Sequence, residues 1–279
     1  MVTTTLEPIY ADDLDEMEEF PLRDGLPWRA RREADEMLTF ARGTMGIFGD
    51  RGSGKDLFGY SRAWLFKYFF NRPILIDSPP RRAFGQYTLF NPQECINQMA
   101  KSAGVEGIEK SKDRGEYEQF IDENIRQWAL ENEGSELLKG SVLYLTELKR
   151  YCYKRNPHNQ FNKFIGSLNS IVRHWDGLIM GTHVKENEID NYTFLQYCNI
   201  RAYCEWCMPS VRPHTTKVRV VRSGFIGSSF SMGDVAGRPL TIYVNGMEPR
   251  DFLDGKNFFS IWKSKSKVNL RPVLRKEMR

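Results

Sequence analysis

No apolar run in the sequence approaches the ~20 residues that a membrane-spanning helix needs. The best candidate, residues 64–70, is interrupted by Lys67. The acidic N-terminus also lacks the basic-then-apolar pattern of a secretory leader, so the expectation is a soluble, intracellular protein with no membrane insertion. Cysteines are few and odd in number, five in all, which fits a reducing compartment better than a disulfide framework. Cys204 and Cys207 form a C-x-x-C pair, but no second close pair completes a zinc site. The pair lies in the apolar run 200–208, so both read as structural cysteines. Basic residues are missing from positions 1–20, which hold seven acids between Glu7 and Glu19. Acids are nearly missing from positions 256–279, where eight basic residues accompany Glu277 alone. Such ends read either as solvated termini or as a docking arm and a phosphate-binding tail.

What is present is globular: 41% hydrophobic and 27% charged residues exclude wholesale disorder. A chain of 279 residues fits one large α/β domain with extensions better than two small ones. The most specific feature is Gly49-Asp50-Arg51-Gly52-Ser53-Gly54-Lys55-Asp56, set between the apolar residues 44–48 and a helical pattern over 57–70. Glycines at 49, 52 and 54 let successive backbone N–H groups curl around phosphate oxygens at a helix N-terminus. Lys55 then reaches the β and γ phosphates of ATP. A plain Gly-rich turn would explain the glycines but not the lysine. Asp56 stands where a Ser or Thr hydroxyl normally binds Mg²⁺. A carboxylate is also a hard oxygen ligand, although it brings extra negative charge near the phosphates.

The pattern around this loop alternates strands and helices. Residues 1–42 read as an acidic arm and a helical extension over 28–40, and residues 43–279 as the phosphate-loop domain. Strands are expected at 72–78, 141–145, 178–182 and 200–208, and helices at 91–100, 110–128 and 161–175. In the last of these, Phe164, Ile165, Leu168, Ile171 and Val172 recur at three- and four-residue spacing. From about residue 210 the texture changes to β-branched runs and glycines, which predict hairpins, with a last strand at 258–262. The expected fold class is therefore α/β, a P-loop NTPase with a mostly parallel sheet flanked by helices and a C-terminal β-rich elaboration.

Hydrolysis needs a carboxylate that activates water. In Val142-Leu143-Tyr144-Leu145-Thr146-Glu147 an apolar strand ends in a polar pair, the Walker B position, where Asp then Glu is usual. Glu147 is placed as the general base, with capping of the following turn as the plainer alternative. Thr146 occupies the usual metal-side position. With Asp56 in the loop and Thr146 on the strand, hydroxyl and carboxylate look exchanged around one Mg²⁺. His183, ending the strand 178–182, reads either as a γ-phosphate sensor or as a structural histidine.

The order of these elements, with Ser170-Ile171-Val172-Arg173-His174 and then Gly177-Leu178-Ile179-Met180-Gly181-Thr182-His183, resembles the FtsK/HerA superfamily of ring-forming DNA-pumping ATPases. Within it, residues 44–208 are most similar to the small packaging ATPases of viruses and Zot-like phage proteins, and residues 254–262 to that group's closing strand. The sequence departs from the pattern at His183, where Gln is usual, and at Thr146. The resemblance implies a homo-oligomeric ring acting on double-stranded DNA with ATP and Mg²⁺. It also implies a capsid portal or vertex as partner, and a place in the host cytoplasm or the virion. It further implies an arginine donated to a neighbouring subunit's site, either Arg173 or Arg201. Arg212, Lys217, Arg219 and Arg222 then face a central channel or decorate an exposed strand.

Other readings share the loop. A terminase ATPase subunit needs a nuclease domain for which little chain follows residue 208, and its spaced acids are not evident. A filamentous-phage export protein needs a membrane span. A small-molecule kinase has no use for a water-activating Glu147, and a nucleotide-binding scaffold needs no catalysis at all.

Overall fold

The computed structural model describes residues 22, 24–26, 28–38, 40–78, 87–92, 94–97, 140–157, 160–172, 176–208, 210–222 and 239–248. Eight strands form one sheet in the order β3-β2-β4-β5-β1-β6-β7-β8. These are β1 Gly43–Phe48, β2 Ile74–Ile76, β3 Thr88–Leu89, β4 Val142–Leu145, β5 Leu178–His183, β6 Cys198–Trp206, β7 Thr215–Arg222 and β8 Leu240–Asn245. The neighbours from β3 to β6 pair in parallel, and β7 and β8 continue the sheet antiparallel.

The continuous apolar runs of β1, β2, β4 and β5 follow from burial on both faces. Met45, Ile47, Ile74, Ile76, Val142, Tyr144, Leu178 and Met180 point to one face, where α1 (Trp28–Leu38) and α2 (Lys55–Phe70) lie. Phe48, Leu75, Leu143, Leu145 and Ile179 point to the other, onto α3 (Gln160–Ile171). Phe164, Ile165 and Leu168 are fully buried there, each contributing about 1.5–3 kcal/mol. The helical spacing in the sequence thus marks the side of α3 that covers the sheet.

Some sequence expectations change in extent. The strand expected at 72–78 shrinks to three residues because Pro73 and the turn at Asp77 bound it. The two-residue β3 carries no periodic signal and was not foreseen. The helical extension is integrated: Ala34 and Met37 of α1, with Phe40 after it, are buried in the same core as α2. The expected helix at 110–128 and strand at 258–262 lie outside the described residues. Among the described residues, no helix is long and apolar enough to cross a membrane.

Candidate nucleotide site

The loop of residues 49–54 leaves the C-terminal end of β1 and enters α2 at Lys55. Gly54 caps the helix with φ 84°, in the left-handed region, and a Cβ there would collide with Thr216 Oγ1 of β7. Conformation and space both require glycine. A Cβ on Gly49 would likewise strike the Cys204 carbonyl oxygen of β6, so the loop is pressed against the strands on that side. Lys55, 9% exposed, donates from Nζ to Asp50 O at 2.9 Å, which holds its ammonium over the curled backbone. The hydroxyls of Ser53 and Thr216 are buried at this loop without a hydrogen-bond partner. Buried hydroxyls at a glycine-lined helix N-terminus suit an anion that would accept from them.

Asp56, in the first turn of α2, accepts a hydrogen bond at Oδ1 from Thr182 Oγ1, 3.3 Å away on β5. Burial raises its carboxyl above the usual range, against the Lys55 charge and the Thr182 hydrogen bond, which lower it. A carboxylate oxygen beside a phosphate loop fits a hard cation such as Mg²⁺, which takes one or two protein carboxylates and fills its shell with waters and phosphates. No group of three or more His, Cys, Asp or Glu able to hold a metal exists among the described residues. A cation here would therefore depend on the nucleotide for part of its shell.

The sequence reading paired Asp56 with Thr146, and the structure gives each a different partner. β5 lies between the loop strand β1 and the Walker B strand β4, so the side chain that meets Asp56 comes from the end of β5. Thr146 turns the other way. Its N–H and hydroxyl donate to Asp77 Oδ1 at 2.9 and 3.0 Å, while Tyr151 OH donates to Asp77 Oδ2 at 2.9 Å. Asp77 follows β2, the neighbour of β4, and burial raises its carboxyl despite these bonds.

Glu147 follows Thr146 at φ 56°, a left-handed conformation that a non-glycine residue holds only when its surroundings impose it. Its N–H reaches Thr182 Oγ1 at 3.4 Å, and its side chain is 55% exposed at the mouth of the site. His183 Nδ1 lies 3.8 Å from Glu147 Oε2, and His183 Nε2 lies 3.1 Å from Glu188 Oε2. His183 is the chief influence holding the Glu147 carboxyl below the usual range, assisted by the Lys55 and Arg150 charges and opposed by partial burial. Glu147 is thus ionised at neutral pH, the form a general base requires.

The structure brings Lys55, Asp56, Glu147 and His183 to one end of the parallel strands, outside their C-terminal edge, where open α/β sheets bind ligands. Asp50 and Arg51 are exposed on the loop's outer side. Arg201 is paired within the chain: Nη1 lies 2.6 Å from Glu186 Oε1. Arg173 lies outside the described residues. On β7, Arg219 and Arg222 are exposed and Lys217 lies 3.7 Å from Glu205; before it, exposed Arg212 sits 3.8 Å over the Tyr243 ring. The roles of Thr182 and Asp77 were missed, although each is a polar residue closing an apolar strand, the same signal that picked out Glu147. Cys204 and Cys207 are free thiols.

A Gly-rich loop joining a buried strand to a helix N-terminus, with lysine in the first turn and a parallel sheet on both sides, defines the P-loop NTPase fold. No protein-family profile matches the chain, and no curated protein matches it. Among solved structures, it is similar to the N-terminal domain of zonular occludens toxin from Neisseria meningitidis, at 10% identity and a TM-score of 0.41 over 77% of this chain and 99% of that one. It is also similar to the genome-packaging NTPase of Sulfolobus turreted icosahedral virus 2 in complex with ATPγS, at 12% identity and a TM-score of 0.36 over 61% of this chain and 77% of that one.

Proposed function

We propose that this protein is an ATP-hydrolysing motor that moves double-stranded DNA as a homo-oligomeric ring, in the packaging of a viral or phage genome. The observation that carries hydrolysis is the convergence of the phosphate loop with the solvent-facing Glu147: its N–H reaches Thr182 Oγ1, which donates to Asp56 Oδ1 of the loop helix. The loop N–H groups and Lys55 bind and orient the phosphates, and Glu147 takes the proton of the attacking water. Asp56 is the carboxylate placed to hold Mg²⁺, which when bound offsets charge developing on the phosphate oxygens. DNA movement is supported by the order of elements that the sequence shares with DNA-pumping ATPases. An arginine, Arg173 or Arg201, is supplied across the subunit interface; the Arg201–Glu186 pair favours Arg173 for that role.

The test is ATP turnover by the full chain with and without double-stranded DNA, in wild type and Glu147→Gln. The motor reading expects DNA to stimulate turnover and the substitution to lower kcat about 10²–10⁴-fold with nucleotide binding intact. Turnover that ignores DNA would reject the motor. Absence of turnover under both conditions would favour a nucleotide-binding scaffold.

A further inference from the structure

We infer that Thr182 is the positioning residue that orients Asp56 toward a divalent cation and ties it to the turn bearing Glu147. The inference rests on the reading of this site as an ATP site in which Asp56 replaces the usual loop hydroxyl. Its basis is a pair of hydrogen bonds at one buried oxygen. Thr182 Oγ1 donates its single proton to Asp56 Oδ1 at 3.3 Å and accepts from the Glu147 N–H at 3.4 Å. Thr182 is 2% exposed, so water does not compete for either bond.

The strand order forces this arrangement. Thr182 pairs in register with Ile47 at the end of β1, immediately beside the strand that feeds the loop. Thr146 stands one strand further away, with its hydroxyl proton already given to Asp77. Asp77 in turn accepts from Thr146 at Oδ1 and from Tyr151 at Oδ2. One hydroxyl therefore joins the cation side of the site to the base side. Deleting it frees the Asp56 carboxylate and loosens the strained backbone of Glu147 together, while the loop that grips the phosphates keeps its own contacts.

The test compares wild type, Thr182→Val, Thr182→Ala, Thr182→Ser and Thr146→Val as full chains. A fluorescent ATP analogue is titrated with Mg²⁺ and with EDTA, and Mn²⁺ binding in the presence of ADP is followed by electron paramagnetic resonance. Wild type is expected to bind the analogue more tightly with Mg²⁺. Thr182→Val and Thr182→Ala should lose that gain and weaken Mn²⁺ binding about 10–100-fold, the usual cost of removing a ligand's supporting hydrogen bond. Their metal-free nucleotide binding, which also reports folding, should persist. Thr182→Ser and Thr146→Val should retain the gain. If hydroxyl-deleted variants keep the wild-type gain, if Thr182→Ser loses it, or if Thr146→Val alone loses it, the role of Thr182 is overturned while the ATP site stands. If wild type itself shows no Mg²⁺ gain or no binding, the ATPase reading falls and takes this inference with it.

Discussion

Glu147 combines two features at one position, a left-handed backbone and a carboxyl held low by its neighbour. The backbone conformation costs on the order of 1–3 kcal/mol, and it persists because Leu148 is buried in the core behind it and Thr182 holds its N–H. His183 is itself pinned from the other side by Glu188, which pairs with Lys149 at 3.4 Å. The sign of the pH effect follows. His183 lowers the carboxyl, so removing it raises the pH at which Glu147 loses its proton. His183→Ala should therefore move the acidic limb of the kcat/KM profile to higher pH, leaving the plateau less affected than Glu147→Gln does. A pH–rate series on both variants checks this, and an unmoved acidic limb would mean that His183 does not set the base.

The elements meet at a second point, at the opposite end of the strands from the loop. The Arg72 guanidinium, fully buried after α2, donates to the carbonyls of Ala41, Gly140, Ser141 and Asp176. Those carbonyls precede β1, β4 and β5, so one side chain gathers the starts of three adjacent parallel strands. Burial lowers its pKa to about 9, and the face of Phe66 lies 5.0 Å from the guanidinium carbon. Arg72→Met would leave buried carbonyls unsatisfied, each costing about 1–3 kcal/mol, so the loss of stability should reach at least ~3 kcal/mol in urea unfolding. A cost below about 1 kcal/mol would show that water replaces the guanidinium. Nothing in the sequence marked Arg72, because a lone arginine before a proline has no local signature of burial. The strands themselves were legible: β1, β4, β5 and β6 fall within two residues of their expected bounds, since burial writes apolar runs, nearly continuous in β4 and broken by Arg201 and Glu205 in β6. β3 was not, being too short for any period to show.

At the scale of the whole molecule, the proposed ring with head-to-tail contacts would place each catalytic centre at an interface, with the loop from one subunit and an arginine from the next. Mixing two inactive variants tests this directly. Arg173→Ala subunits keep Lys55, and Lys55→Ala subunits keep Arg173. An equimolar mixture should therefore restore about a quarter of interfaces if heterologous contacts form at random. Recovered ATP turnover near that fraction supports donation across subunits, whereas a mixture no more active than its components would reject it. The antiparallel strands β7 and β8 extend the sheet beyond β6, and β7 touches the loop at Thr216. That contact makes the β-rich part of the chain a wall of the nucleotide site as well as an elaboration of the sheet.

The sequence alone determined the phosphate loop, the parallel α/β class and Glu147 as the candidate base, because each is written in neighbouring residues: glycine spacing with lysine, apolar runs, and a strand ending in acid. Only the tertiary structure decided which side chains share the site. Asp56 and Thr182 are 126 positions apart, and they meet because β5 inserts between β1 and β4. Strand order is set by pairing across distant segments, which no local pattern encodes. Thr146, at the end of the strand beyond β5, gives its N–H and hydroxyl to Asp77, a contact with the neighbouring strand that no local pattern announces.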